Sequence, residues 1–153
     1  MTVTVMINPS NFPFIDESRI TDAVNEAVAN GMRGGVDLIV ADAKRSVARG
    51  PKTGRIYSYH GIRHQASAPG EPPATNTGVL INSIVGEVTT NADNKIQGYV
   101  RAGAGYAGYL EFGTRRMAAR PFLNPAIERN KAQIAVFLQR AIETGLARFR
   151  TVR

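Results

Sequence analysis

The strongest constraint on the fold is an apolar periodicity that continues through residues 17–49. Apolar side chains recur there at steps of three and four, which places them on one face of an α-helix: Ile20, Val24, Val28, Met32, Val36, Ile39, Ala43 and Val47. Asp16 suits an N-cap, and Gly50-Pro51 is a strong stop signal. The sequence therefore predicts one amphipathic helix from about Glu17 to Arg49.

Three glycines fall in the middle of this predicted helix. Gly31, Gly34 and Gly35 each cost about 1 kcal/mol relative to alanine in a helix interior. They predict a bend, a break or a close approach to another backbone. The alternative is a pair of shorter helices.

A second long helix is predicted from Pro125 to about Phe149. Asn124 suits its N-cap and Pro125 its first position. Its apolar stripe has helical spacing: Ile127, Ile134, Leu138, Ala141, Ile142 and Leu146. The basic residues 148–153 are predicted to form a flexible tail.

Alternating patterns between and before the helices predict β-structure. Residues 2–7 alternate Thr and Val, and residues 85–90 and 96–102 form a hairpin around the turn at 91–94. Residues 77–84 fit one helical turn capped by Thr77, and residues 106–112 favour a helix over a strand. The prediction is a single α+β domain over residues 1–153, with a small antiparallel β-sheet packed against a long N-terminal and a long C-terminal helix.

Residues 50–76 form a segment rich in proline and glycine that does not fit either helix. A loop of this length in a compact domain is usually functional or disordered. Residues 55–59 fit a short strand, so we predict an extended loop or hairpin arm. Such an arm lacks a core of its own and would need a partner surface.

The sequence offers no recognisable catalytic, cofactor or metal site. It contains no cysteine, which excludes disulfides, thiolate zinc sites and thiol catalysis. His60 and His64 are interpreted as loop histidines, because no carboxylate between them completes a ligand set. Lys52-Thr53-Gly54 resembles a β-lactamase box, but no Ser-x-x-Lys accompanies it. We therefore expect neither enzymatic activity nor a cofactor.

Charge and hydropathy indicate how the chain interacts. The N-terminus lacks the features of a signal peptide, and no apolar run reaches the ~20 residues that span a bilayer, so we expect a soluble protein without membrane contact. The net charge of +7 favours polyanions or acidic protein surfaces. Arginines cluster at positions 115, 116 and 120, and a salt bridge from Glu111 to one of them is expected. Contacts across an oligomer interface are favoured over contacts with phosphates.

Five motifs in a fixed order resemble one protein family: Lys-Thr-Gly-Arg-Ile-Tyr (52–57), His-Gln-Ala-Ser-Ala-Pro-Gly-Glu-Pro-Pro-Ala (64–74), Thr-Gly-x-Leu-x-x-Ser-Ile (77–84), Tyr-Ala-x-x-Leu-Glu-Phe-Gly-Thr (106–114) and Ala-Arg-Pro-Phe-Leu-x-Pro-Ala (119–126). Together they resemble the head–tail joining, or tail-completion, proteins of long-tailed bacteriophages, over roughly residues 17–145. Each motif alone is weak, whereas their order is specific.

The resemblance implies a structural virion protein of the phage neck, assembled in the host cytoplasm. It implies a homo-oligomeric ring, with a hexamer favoured by the six-fold tail. It also implies contacts with neighbouring neck, connector and tail-tube proteins, and non-specific contact with DNA in the lumen. The alternatives are a tail terminator protein that caps the tail tube and a non-specific DNA-binding protein.

Two sets of residues carry these expectations. The predicted assembly contacts come from the arm and the basic turn: Arg55, Tyr57, His64, Pro69, Glu71, Pro72, Arg115, Arg116 and Arg120. The predicted structural core of the motif joins the last helix to the sheet: Tyr106, Leu110, Phe112, Gly113, Pro121, Phe122 and Leu123.

Overall fold

The computed structural model describes residues 17–150, so the predicted strand at 2–7 and the predicted N-cap Asp16 lie outside the described residues. The elements, in chain order, are α1 (Glu17–Arg49), β1 (Ile56–Tyr59), β2 (Ile62–Gln65), α2 (Val79–Ser83), β3 (Ile84–Thr90), β4 (Ile96–Ala102), α3 (Ala107–Phe112) and α4 (Leu123–Arg150). The predicted α+β class is confirmed.

Helix α1 has the predicted bounds, and its predicted apolar face is its buried face. All eight apolar positions from Ile20 to Val47 are at most 7% exposed. The helix ends where Gly50 N–H donates to the Ser46 carbonyl oxygen at 2.8 Å. The periodicity located this helix, because one side of a helix must leave water to contribute to a core, and the Gly50-Pro51 stop signal located its end.

The glycines of α1 mark a close approach to α4, which confirms one of the predicted alternatives, whereas the alternative of two shorter helices is wrong. A Cβ atom at Gly31 would lie 2.9 Å from Ala141 Cβ, and one at Gly35 would lie 3.1 Å from Ile134 Cγ2. A Cβ at Gly145 of α4 would in turn lie 3.0 Å from Ala27 Cβ. Helix α1 stays continuous, and its glycines let the two helix backbones come together.

Helix α4 begins before the predicted start. Its first residue is Leu123, so Asn124 lies inside the first turn and the prediction of Asn124 as N-cap is wrong. The helix continues to Arg150, so residues 148–150 of the predicted flexible tail are helical. Residues 151–153 lie outside the described part of the chain.

Within residues 17–150 the β-structure consists of two separate two-stranded antiparallel sheets, β1–β2 and β3–β4. The β3–β4 hairpin closes at the predicted turn, where Asn91 Oδ1 accepts from Asp93 N–H and Lys95 N–H. Helix α2 is the predicted single turn, but the prediction of Thr77 as its cap is wrong. Gly78 occupies the N-cap position with φ 77° and no side-chain cap bond.

The contacts group into two compact units, each built from separate stretches of sequence. The first comprises Met1–Asp37, Gly86–Tyr99 and Asn130–Arg153, and the second comprises Leu38–Val85 and Val100–Arg129. In the first unit β4 packs on α1, since a Cβ at Gly98 would lie 2.7 Å from Val36 Cγ2. In the second, Phe122, Ile84 and Val47 are almost fully buried. The single-domain description stays a prediction.

Candidate assembly surface

The connection from α3 to α4 is held by one buried carboxylate. Glu111, 7% exposed, accepts the amide N–H of Phe122 and Leu123 on Oε2, at 2.9 and 3.0 Å, and that of Asn124 on Oε1 at 2.7 Å. Leu123 and Asn124 begin α4 and Phe122 directly precedes it, so none of these three amides has a carbonyl partner within the helix. A carboxylate also suits the positive end of the helix dipole. Glu111 therefore caps α4 from a distant position in sequence.

This arrangement corrects the expected role of Glu111. Among the described residues, the ion pairs do not include one from Glu111 to Arg115, Arg116 or Arg120. The carboxylate binds backbone amides because α3 turns its Ala107 and Glu111 positions inward. Two residues four apart share a helix face, and here that face meets the start of α4.

Gly113 is required by the turn that follows α3, as its place in the motif predicted. Its φ is 76°, a backbone conformation that side chains disfavour. A Cβ there would also lie 2.8 Å from both Ala119 N and Met117 O. The turn closes with Thr114 N–H donating to the Met117 carbonyl oxygen at 2.8 Å and Arg120 N–H to the Leu110 carbonyl oxygen at 2.7 Å.

The side chains of Glu71 and Arg120, two of the predicted assembly residues, make hydrogen bonds within the chain. Glu71 accepts from Thr53 Oγ1 at 2.6 Å, from Thr53 N–H at 2.9 Å and from Ala68 N–H at 2.7 Å. Arg120 donates from Nε and Nη2 to the Ser67 carbonyl oxygen, each at 3.3 Å. These bonds fix residues 66–73 in the second unit, where Ser67 and Pro73 are buried. Any contact of Glu71 or Arg120 with a partner stays a prediction.

The hydrogen bonds to Glu71 also shift the pKa of its carboxyl group. The Thr53 hydroxyl contributes most, followed by the amides of Thr53 and Ala68, and together they lower the pKa of the Glu71 carboxyl below its ordinary value of 4.5. They do so because each donor stabilises the charged form, while burial opposes them.

Within the predicted arm, only the β1–β2 hairpin is an exposed projection of regular structure. We call residues 56–65 the hairpin arm. Its two-residue turn has positive φ at both His60 and Gly61, 48° and 76°, as a type I′ turn requires. Tyr57 pairs with His64 across the strands, and their rings stack with centroids 5.7 Å apart. The hairpin prediction is confirmed, whereas residues 66–73 pack into the second unit.

The hairpin arm exposes apolar side chains. Ile56 is 50% exposed, Tyr57 42% and Ile62 62%. A two-stranded hairpin is at best marginally stable in water without a surface to pack on. Of the other predicted arm residues, Arg55 and Pro69 are exposed, and Pro72 is half-buried, where its ring approaches Gly50.

Helix α3 and its first flanking residue expose a second apolar set, which we call the aromatic face: Tyr106, Tyr109 and Phe112, which are 44, 61 and 77% exposed. The prediction of Phe112 and Tyr106 as core residues is therefore wrong. The inward positions of this helix are taken by Ala107 and Glu111, and residues three apart follow the opposite side. Phe122 is buried at 1% as predicted, while Leu110, Pro121 and Leu123 are half-buried.

A groove of about 360 Å³ lies in the second unit. Tyr57 of the hairpin arm, Tyr106 of the aromatic face, and Val79, Leu80 and Arg120 contribute to its lining. Sequence reasoning placed Tyr57 and Arg120 among the assembly contacts and Tyr106 in the core of the motif, and it missed Val79, which is 52% exposed. The missed signal was the helical spacing of residues 79–83, which turns Val79 outward when Leu80 is buried.

Arg115 and Arg116 lie exposed in the turn after α3. Within residues 17–150, no three His, Asp or Glu side chains gather closely enough to hold a metal ion. In the same part of the chain, no helix has the length and apolar character that crossing a membrane requires.

Comparisons with family models, curated proteins and solved structures found no match to this chain.

Proposed function

We propose that this chain is a structural virion protein of a long-tailed bacteriophage that forms a ring in the neck and joins the head connector to the tail. The resemblance of the five ordered motifs motivates this assignment. The observation that carries it furthest is the exposed apolar surface of the second unit, formed by the hairpin arm and the aromatic face. The proposal assigns the protein a role in assembly and no catalytic activity.

The composition of this surface supports a protein partner. Large aliphatic and aromatic side chains are exposed on both elements: Ile56, Tyr57, Ile62, Tyr109 and Phe112. Tyr57 of the hairpin arm and Tyr106 of the aromatic face line one groove, and exposed apolar patches of this kind mark interaction sites on soluble proteins. Tyrosine, phenylalanine and arginine are also among the residues enriched at interfaces, and Arg115 and Arg116 follow Phe112 within the same turn.

The first partner in this proposal is another copy of the chain. A contact between two different surfaces of identical subunits closes into a ring when a whole number of its rotations completes a full turn. The proposed ring is a hexamer. Neighbouring connector and tail-tube proteins are the further partners. In this role the protein is assembled in the host cytoplasm and retained in the virion.

Excising the hairpin arm tests self-association without disturbing the core. Ala66 N–H donates to the Arg55 carbonyl oxygen at 3.0 Å and Gly54 N–H to the Ala66 carbonyl oxygen at 2.9 Å, so these residues are already paired. An Asn-Gly turn can therefore replace residues 56–65. We expect unchanged thermal unfolding and a fall in solution mass, measured by analytical ultracentrifugation, from a ring to a monomer.

A matched pair of point variants separates this surface from exposed apolar residues in general. Phe112→Ser removes an exposed ring of the second unit, and Tyr99→Ser removes one, 46% exposed, of the first unit. Only Phe112→Ser is expected to weaken assembly. A native protein that stays monomeric at every concentration, with and without neighbouring neck proteins, would contradict the proposal.

The same variants distinguish a neck protein from a tail terminator, the alternative with a similar fold. In phage production with assembly-deficient protein, a neck role predicts filled heads and tails of normal length that remain unjoined. A terminator role predicts tails of uncontrolled length. Electron microscopy of the lysate distinguishes these two outcomes.

A further inference from the structure

The hydrogen bonds at the base of the hairpin arm are of two kinds. Those of Gly54 with Ala66 and of Ala66 with Arg55 join the two strands to each other and continue the pairing of β1 with β2. They leave the direction of the hairpin arm undetermined, because a two-stranded ladder can swing as one body about its two ends. Bonds that reach other parts of the second unit must therefore set its orientation.

Arg120 ties the returning strand to helix α3. Its side chain donates from Nε and Nη2 to the carbonyl oxygen of Ser67, each at 3.3 Å, and Ser67 follows shortly after β2 and is 3% exposed. The backbone N–H of Arg120 donates to the carbonyl oxygen of Leu110 at 2.7 Å. One residue thus bonds both the base of the hairpin arm and the helix that carries the aromatic face.

Glu71 ties the outgoing strand to the same part of the unit. Its Oε1 accepts from Thr53 Oγ1 at 2.6 Å, and its Oε2 accepts from the amides of Thr53 and Ala68 at 2.9 and 2.7 Å. Gly70, which precedes Glu71, donates its N–H to the carbonyl oxygen of Ala119 at 2.9 Å, next to Arg120. Bonds to a carboxylate are stronger than bonds between neutral groups, so Glu71 closes the base of the hairpin arm firmly.

We infer that Glu71 and Arg120 are positioning residues that hold the hairpin arm and the aromatic face in one fixed relation before a partner binds. We call these two side chains the clamp. The inference rests on the proposed function, because the two surfaces held by the clamp are those proposed for assembly. A preformed surface avoids the entropic cost of ordering a swinging hairpin when a partner binds. The clamp therefore orients the interface from within the chain, which is a different role from direct contact with a partner.

The distance between two spin labels tests the clamp within a single copy of the chain. The sequence has no cysteine, so labels attach only at Ile62→Cys in the hairpin arm and Tyr109→Cys on the aromatic face, positions that are 62 and 61% exposed. The labelled full chain is diluted with an excess of unlabelled protein, so that distances between copies do not contribute. Pulsed electron paramagnetic resonance then gives the distribution of distances, which we expect to be narrow.

Loss of either clamp side chain should broaden this distribution. Arg120→Met and Glu71→Ala each free one strand of the hairpin arm from the rest of the unit. Arg120→Lys should restore part of the native width, because an ammonium group can still donate to the Ser67 carbonyl oxygen, whereas a purely space-filling role would not predict this rescue. Thr53→Val removes one donor to Glu71 and should broaden the distribution less than Glu71→Ala. It also tests the clamp if Glu71→Ala does not fold.

Arg101→Met and Glu87→Ala are the matched controls, at exposed positions of β4 and β3. Both should leave the width unchanged. A broad distribution in the native protein, an unchanged width in the clamp variants, or equal broadening in the controls would overturn the inference, whatever the assembly state of the protein.

Ultracentrifugation of the unlabelled variants keeps the two proposals apart. If the competent orientation falls to about one tenth of the molecules, association should weaken about tenfold. Native association that persists while the distribution broadens would overturn the role of the clamp in assembly and leave the proposed ring standing. Broadening in the clamp variants of a protein that never assembles would support the clamp and contradict the ring.

Discussion

At the residue scale, the most consequential side chain is Glu111, a charged residue inside an apolar segment. Its two oxygens accept three amide bonds at the start of α4. Hydrogen bonds to a charged group contribute more than neutral ones, and a buried donor without a partner is costly. The start of α4 is thus capped by a side chain outside the helix. The Asn124 side chain is therefore not needed as an N-cap.

Removing this carboxylate should destabilise the protein severely. For Glu111→Ala we expect a loss of about 2–4 kcal/mol in the free energy of unfolding, and for Glu111→Gln a smaller loss, because an amide offers one acceptor oxygen and a competing NH₂ group. Urea denaturation measures both. Glu143→Gln, an exposed carboxylate of α4, is the control, and a Glu111→Gln loss no larger than its loss would disprove the capping role.

Gly113 and Gly70 differ in how much an added Cβ atom should cost. Both have positive φ, 76° and 83°, but a Cβ at Gly113 would lie 2.8 Å from Ala119 N, whereas one at Gly70 has nothing within 4 Å. We expect Gly70→Ala to cost about 1–2 kcal/mol from the left-handed conformation and Gly113→Ala to cost clearly more. Equal costs in urea denaturation would contradict the close contact.

Glu71 predicts an acid-sensitive contribution to stability. Its pKa is lowered in the folded state, first by the Thr53 hydroxyl, so the folded state binds this proton less readily than the unfolded state. The stabilisation is therefore present above the unfolded pKa near 4.5 and is lost as the pH falls through the lower folded pKa. Glu71→Gln should flatten the decline in stability below pH 4.5, as measured by unfolding at successive pH values. A decline as steep as in the native protein would refute this role.

At the element scale, glycine spacing on α1 decides how closely α4 packs. Gly31 faces Ala141 Cβ and the Phe137 carbonyl oxygen, whereas Gly34 is exposed and a Cβ there would meet only the Phe137 ring, at 3.7 Å. The sequence located these glycines but gave no indication which of them faces a neighbour. The contact is specific to one side of the helix.

Alanine at these two positions should act in opposite directions. Gly34→Ala should stabilise the protein by up to about 1 kcal/mol, since alanine is the better helix former. Gly31→Ala should destabilise it, because the added methyl meets backbone at 3.2 Å and Ala141 Cβ at 2.9 Å. Thermal unfolding of the two variants measures the difference, and a shift of the same sign in both would show that the helices do not meet there.

At the scale of the whole molecule, charge and apolar exposure both concentrate in the second unit. The second unit contains eleven lysine and arginine residues and four carboxylates, a net charge of +7 that equals the net charge of the whole chain. The surface proposed for assembly and the excess of lysine and arginine thus belong to one unit, while the first unit supplies helix packing and carries no net charge. Repulsion among uncompensated cations also opposes folding of the unit that holds them.

This self-repulsion predicts stabilisation by salt. The melting temperature should rise between about 20 and 500 mM NaCl, because the Debye length shrinks from tens of ångströms to a few. Arg115→Gln/Arg116→Gln removes two cations of the second unit and should reduce this rise. Arg33→Gln/Arg140→Gln removes two exposed cations of the first unit and should leave it unchanged. The melting temperatures of the native protein and the two variants are compared across this salt range. Equal salt responses would count against a charge partition between units.

The sequence by itself determined the long elements, because their signals are local. Apolar residues at steps of three and four placed α1, alternation and an Asn-rich turn placed β3 and β4, and Gly113 marked a turn that needs positive φ. Tertiary structure alone decided the direction in which the polar and aromatic residues of the short elements point. It turned Glu111 inward and Phe112 outward, since distant amides needed an acceptor, and it gathered the net charge into one unit from stretches that are far apart in sequence.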